Sequence, residues 1–205
     1  VVLRGKAYSI DTLFIHPKYE RKDLDMALIK LVESVENCAP AKLFFGDNEL
    51  GKVCEIVGWG VYGTAFKPSI DTNATKMGGT NSIEQVGGKV KNRNFKVDNN
   101  TLLTDFESLE IPRSNSVGKM QPTVLEFGIN GGDSGGGLFI EVDGDVYLAG
   151  IIKTTYFVFK MKVDSEGKHF LVDEEDFNEI GLFGSIDSFT RISTNLKWIK
   201  SVVKI

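Results

Sequence analysis

Two cysteines, Cys38 and Cys54, in a chain of 205 residues allow at most one internal disulfide, which excludes a small cross-linked scaffold and leaves stability to burial. Proline is also scarce, at 5. No apolar run approaches the roughly 20 residues that cross a bilayer, so a transmembrane helix is excluded and no membrane partner is expected. The chain does not open on a charged start followed by an apolar block, so any targeting signal is expected to have been removed or to lie outside these residues. Basic residues number 24 against 28 acidic, a net charge of −4, which argues against a nucleic-acid surface because phosphate binding needs clustered Lys and Arg. Histidine is limited to His16 and His169.

Glycine is abundant, at 22, and apolar residues come in short runs bounded by polar ones, a pattern that predicts an all-β fold. Strands are expected at Val1 to Leu3, Leu13 to Ile15, Met26 to Leu31 and Lys52 to Trp59, with two or three more between Val86 and Ile111. The polar stretch from Glu33 to Ala41 reads as a linker, and Tyr62 to Ser82 as a long surface loop. Asp143-Gly144 between two apolar runs predicts a hairpin of Leu138 to Val142 with Val146 to Ile152. A second hairpin is expected around residues 164–168, followed by an acidic tract from Asp173 to Glu179 taken as a solvated loop. The chain ends in one helix, with Leu196, Ile199 and Val203 at helical spacing and Ser193 or Thr194 as its cap.

The densest glycine cluster, Gly131-Gly132-Asp133-Ser134-Gly135-Gly136-Gly137, places one hydroxyl among residues whose backbone bends freely. A phosphate loop would need a Lys and then a helix, and a nucleophile elbow also turns into a helix; here the strand-like Leu138 to Val142 follows instead. A serine nucleophile whose own loop supplies an oxyanion hole, and a glycine-rich turn without chemistry, remain nearly level on the loop alone.

Gly132-Asp133-Ser134-Gly135-Gly136 resembles the nucleophile motif of the trypsin/chymotrypsin-like serine proteases. Other landmarks follow the same order: His16-Pro17 before Asp25-Met26-Ala27-Leu28, then Gly58-Trp59-Gly60, Ala149-Gly150-Ile151-Ile152, and Phe189-Thr190-Arg191-Ile192 with the closing helix. The resemblance implies two antiparallel six-stranded β-barrels with a C-terminal helix. In this reading residues 1–40 are what remains of the N-terminal barrel with its linker, 41–192 form the C-terminal barrel, and 193–205 the helix. It implies a serine endopeptidase acting on protein or peptide, with Ser134 as nucleophile, the amides of Gly132 and Ser134 as the oxyanion hole, and Asp25 orienting an imidazole. No metal or organic cofactor is implied. Asp133 is similar to the family's aspartate that supports the oxyanion hole after activating cleavage.

The sequence departs from the family in telling places. Its Ala-Ala-His-Cys type motif is missing; His16 matches a common surface His-Pro, and His169 falls in the second hairpin, so both are expected at the surface. The catalytic imidazole is therefore expected in an N-terminal segment or partner fragment outside these residues. The alternative is a catalytically inactive trypsin-like fold that binds proteins. The pocket position six residues before the serine is Gly128 rather than an acid, while Asp187 stands on the opposite wall and is expected to pair with a Lys or Arg of the substrate. Lys153-Thr154-Thr155 replaces the family's Ser-Trp-Gly edge, and Lys153 is placed either against Asp187 or in solvent. Cys38 and Cys54 lack their family partners and are expected to be free thiols, as in disulfide-poor microbial members. The family's usual secretion or export to a periplasm is correspondingly weakened as a localisation.

Overall fold

The computed structural model describes residues 1–19, 24–71, 75–90, 95–157, 161–163, 165, 169–171, 178 and 182–203. The N-terminal part holds two separate hairpins. β1 (Val2–Leu3) pairs with β2 (Lys6–Ala7), and β3 (Ile10–Ile15) pairs with β4 (Ala27–Leu31). No strand or helix forms from there until β5 (Lys42–Leu43), which agrees with the break in composition around Pro40.

The large sheet is built from β6 (Val53–Gly58), β9 (Met77–Ser82), β10 (Gln85–Lys89), β11 (Lys96–Asp105), β12 (Gly137–Val142), β13 (Asp145–Tyr156) and β16 (Ile186–Arg191). Their order is β10-β11-β16-β13-β12-β6-β9, with β5 added to β13 in parallel. Between them, β7 (Tyr62–Thr64) and β8 (Lys67–Asp71) form a hairpin, so the segment expected as one loop from Tyr62 to Ser82 is largely strand. Thr64, Gly63 and Ser69 in it masked the pattern, because β-propensity records fit to a half-buried surface more than residue type.

Burial alternates along β6, where Cys54, Ile56 and Gly58 point inward. β16 is buried at every position because it has a core on each face: Phe189 packs with Ile56, Leu102, Leu138 and Ile152, whereas Ile186 packs with Val90, Val97, Leu103 and Val117. The β12–β13 hairpin turns on Asp143 and Gly144, both with positive φ (52° and 81°), as a two-residue primed turn requires. β14 (Met161–Val163) pairs with β15 (His169–Leu171), the expected second hairpin; the acidic tract after it lies outside the described residues except Asn178.

The expected pair of six-stranded barrels is not what the chain forms. Among the described residues no sheet closes on itself, and the N-terminal part contributes two-stranded sheets. The edges of the large sheet, β9 and β10, are consecutive in the chain and joined through Ile83 and Glu84, yet no ladder runs between them. Ile83 donates its amide to the Lys52 carbonyl before β6 and Glu84 donates its own to Leu103 of β11, so each flank of the corner takes one bond and neither goes across. Closure needs a continuous ladder with a fixed stagger. The open hairpin β3–β4 leaves Ile10, Leu13, Ile15 and Ile29 exposed.

A 3-10 turn (Ser193–Asn195) leads into α1 (Leu196–Val202), whose Ile199 packs with Met26 and Ile192. Neither Ser193 nor Thr194 caps it as expected: Ser193 gives its hydroxyl to Glu49 (2.7 Å) and Thr194 to the Arg191 carbonyl. Among the described residues no helix is long and apolar enough to cross a membrane.

Candidate active site

The nucleophile loop is positioned by the first residue of β12. Gly137 stands opposite Val57 of β6 and Ile151 of β13, so the residues before it must turn away at the end of both pairings. Gly135 donates to the Ile152 carbonyl (3.0 Å), Ile152 donates to that of Gly136 (2.8 Å), and Gly136 donates to that of Asp133 (2.9 Å). The buried Asp133 carboxylate then fastens the loop from within. Its Oδ1 accepts the Gly60 amide at 2.7 Å and its Oδ2 the Asn130 amide at 2.9 Å. No basic side chain pairs with Asp133 among the described residues.

This fastening explains the Gly-Trp-Gly triplet. A Cβ on Gly58 would overlap Asp133 Oδ1, and one on Gly60 would fall 2.6 Å from the Asp133 amide nitrogen. Only hydrogen at those positions admits the carboxylate. Gly132, at φ +93°, holds a backbone that other residues rarely adopt. With these bonds made, the amides of Gly132 and Ser134 have no acceptor among the described residues, and the exposed Ser134 hydroxyl has no partner there. Two free amides beside a free hydroxyl are what acyl transfer needs of such a loop.

Asp25 sits between the buried Leu24 and Met26 but is itself exposed, and its carboxylate has no hydrogen-bond partner among the described residues. Its backbone carbonyl accepts the Thr190 hydroxyl at 2.9 Å. Thr190 stands opposite Ile151, next to the Ile152 that anchors the Ser134 loop, so Asp25 and Ser134 are tied to adjacent strands of one sheet. Among the described residues no hydrogen bond joins an imidazole to either. His16 is not at the surface as expected: it is buried, its ring meets Trp198 edge-on at 4.6 Å, and its Nδ1 accepts the Lys18 amide at 3.1 Å. Burial, and then the charge of Lys18, lower its pKa. His169 stands in β15, away from the large sheet's ladder.

Gly128, Thr155 and Asp187 do come together, lining a cavity of about 160 Å³ with Phe106, Phe127 and Tyr62. Asp187 is fully buried; its Oδ2 accepts the Ile129 amide (2.8 Å) and its Oδ1 the Thr155 hydroxyl (2.7 Å). Burial pushes its carboxyl up to about 7, against the lowering effect of those two donors. Asp133 and Glu126 are among the residues that line the same cavity. Lys153 does not pair with Asp187. It sits at a bulge in β13 and lines a separate depression with Asp98, Asn99 and Tyr156. Ser134 and Gly132 line a third depression, with Trp59 and Phe139, which shares only Asp133 with the Asp187 cavity. The nucleophile loop thus separates hydroxyl from cavity. From Lys153 to Tyr156, β13 pairs with β16 on one side and its other edge is unpaired among the described residues.

Three features escaped the sequence. The Gly60 amide on Asp133, the buried Glu49–Arg191 pair and an acidic group that brings Glu84 and Glu126 to Asp105 and Glu107 join residues far apart in the chain. No local pattern marks such contacts. Both cysteines are free, as expected, and Cys54 is buried. A family model described as trypsin matches residues 3–158. Comparison with curated proteins gives no match.

Proposed function

The chain belongs to the trypsin family, and from that premise we propose that it acts in peptide-bond hydrolysis as a serine endopeptidase with Ser134 as nucleophile. The observation that carries this is the nucleophile loop: an exposed hydroxyl at Ser134 and two unengaged amides, held by buried hydrogen bonds to Asp133 and Ile152. In the first step Ser134 Oγ bonds to the scissile carbonyl carbon while its proton passes to a base. The carbonyl oxygen takes up the displaced electron pair and is stabilised by the Gly132 and Ser134 amides. The tetrahedral centre then expels the amine, which takes the proton, and water repeats the sequence on the acyl-enzyme. No described residue supplies the base, so activity in this scheme requires an imidazole from outside them, placed between Ser134 and the unpartnered Asp25 carboxylate. An extended peptide could add to the free edge of β13 at Lys153 to Thr155.

A preference for cleavage after Lys or Arg is supported by the acidic residues Asp187, Asp133 and Glu126 among those that line the cavity with Gly128 and Thr155. A second reading, a catalytically inactive fold that binds proteins, is favoured by one observation: the described histidine nearest the family landmarks, His16, is engaged by Trp198 and Lys18. Labelling of the longest native form with a fluorophosphonate, followed by peptide mapping, decides between them. Modification of Ser134 that disappears in Ser134→Ala supports the peptidase. A folded, full-length protein that takes up no label refutes it and leaves the binding fold.

A further inference from the structure

The segment between β11 and β12 is long and, apart from a 3-10 turn at Pro112–Ser114, lacks regular structure; besides sending Val117 and Ile129 into the core, it is held by carboxylates. Asp105, at the end of β11, accepts the amides of Ser116 (2.5 Å) and Val117 (2.9 Å) on Oδ2. Glu84 Oε2 accepts the Met120 amide at 3.3 Å, and Glu107 accepts the Asn115 side-chain amide. Glu126 accepts the Thr123 amide and hydroxyl at 2.7 and 2.8 Å, and the Glu107 amide at 3.4 Å. Gly118 passes so close to Glu84 that a Cβ there would overlap its Oε2.

Burial raises every carboxyl in this group, Glu107 to about 8, and repulsion from neighbouring carboxyls adds to it at Glu84, Glu107 and Glu126. No Lys or Arg pairs with any of them among the described residues. One oxygen each from Glu84, Asp105 and Glu107 lie within 4.8 Å of one another, which is the span of oxygens on opposite sides of an ion at about 2.4 Å. Asp105 Oδ1 is fully buried and has no hydrogen-bond donor among the described residues. A buried carboxylate oxygen without a donor costs several kcal/mol on general grounds and persists where something else satisfies it.

We propose that Glu84, Asp105 and Glu107 hold a divalent cation of the calcium class, with Glu126 adding negative charge behind them. Three carboxylate oxygens suit a hard ion that takes six to eight oxygen ligands and tolerates irregular geometry; water and backbone carbonyls complete its shell. The ion would fix the whole segment, because the amides of Ser116, Val117 and Met120 rest on the same carboxylates. It would also steady the cavity of Asp187, since Phe106, Glu126 and Phe127 belong both to this segment and to the cavity wall. The site stands independently of whether Ser134 is catalytic.

The test is calcium chloride against EDTA on the full chain. Equilibrium dialysis is expected to give one calcium ion per chain, and millimolar calcium to raise Tm by roughly 5–10 °C. Glu84→Gln and Glu107→Gln keep their hydrogen-bond acceptors, so both are expected to fold in EDTA and to lose the calcium-dependent rise. A dialysis stoichiometry near zero for the unmodified chain, or a rise that persists unchanged in both variants, overturns the site.

Discussion

Replacing Asp187 by Asn separates the cost of its charge from the value of its hydrogen bonds. The side chain is fully buried and receives only two donors, the Ile129 amide and the Thr155 hydroxyl. An asparagine in its place keeps both contacts if its oxygen takes the amide and the Thr155 hydroxyl rotates to accept from its nitrogen. Between a carboxyl that ionises at 3.8 and one that ionises at about 7 lies about 4 kcal/mol. The sign follows from which state binds the proton. Below pH 3.8 both folded and unfolded chains carry the neutral acid, and the stability it contributes is fully present. As pH rises toward 7 the unfolded chain ionises while the folded chain does not, so stability is lost, and above 7 the loss is complete.

The assay is urea unfolding of both proteins from pH 4 to pH 8. The other raised carboxyls, including Glu126, titrate in both proteins; Asp105 repels Asp187 and so contributes to the difference as one cause of the raised value. The expected result is that Asp187→Asn gains about 4 kcal/mol on the unmodified protein between the two ends of the range. Parallel stability curves would refute the reasoning and show that the carboxylate is stabilised in the fold by something other than these two donors. An aryl amidine, which supplies the cation that the proposed substrate would bring, should raise Tm of the unmodified protein at pH 8 and leave Asp187→Asn unchanged.

Glu49→Gln should cost about 3 kcal/mol or more in urea unfolding at pH 7, because it leaves the Arg191 guanidinium buried without its carboxylate; Glu49 is fully buried and bonded to Arg191 at 2.6 and 2.7 Å. Burial raises the Glu49 carboxyl, but its bonds from Arg191 and Ser193 outweigh that and hold it below the ordinary range, so this contribution is present at neutral pH and fades as pH falls through the lowered value. Gly136→Ala should unfold the nucleophile loop or the sheet end, since its Cβ would overlap the Val57 carbonyl oxygen, whereas Gly131→Ala meets nothing within 4 Å and should match the unmodified protein in Tm and in Ser134 labelling.

What could be read from the sequence was what is local. The Asp143-Gly144 hairpin, the strand after the glycine cluster and the apolar face of α1 each follow from a handful of adjacent residues. Sheet closure could not be read, because it depends on where the amides of Ile83 and Glu84 go, and these partners lie elsewhere in the chain. His16 was misplaced for the same reason: a histidine before a proline looks exposed until Trp198, nearly the whole chain away, covers it. Gly128, Thr155 and Asp187, which family order sets near one another, line one cavity, whereas Lys153 lines another depression beside the bulge between Ile152 and Thr154 of β13.

This division bears on how a failure of Ser134 to react should be understood. The contacts that hold the loop of the proposed oxyanion amides are seen among the described residues: Asp133 on Gly60 and Asn130, Gly135 on Ile152, and two glycines that make room for the carboxylate. These hydrogen bonds, of 2.7 to 3.0 Å, tie the loop to itself, to Gly60 and to β13, and they do not depend on any group bound at Ser134. The proton acceptor is the opposite case. Neither Asp25 nor either histidine is held against Ser134 by a contact among the described residues, and Asp25 is tied to the sheet only through its backbone carbonyl. Charge stabilisation by amides and proton removal by a base contribute separately to acyl transfer, and the first retains rate in the absence of the second. In the proposed scheme, a chain with an intact loop and an inert Ser134 would therefore lack its base rather than its amide donors.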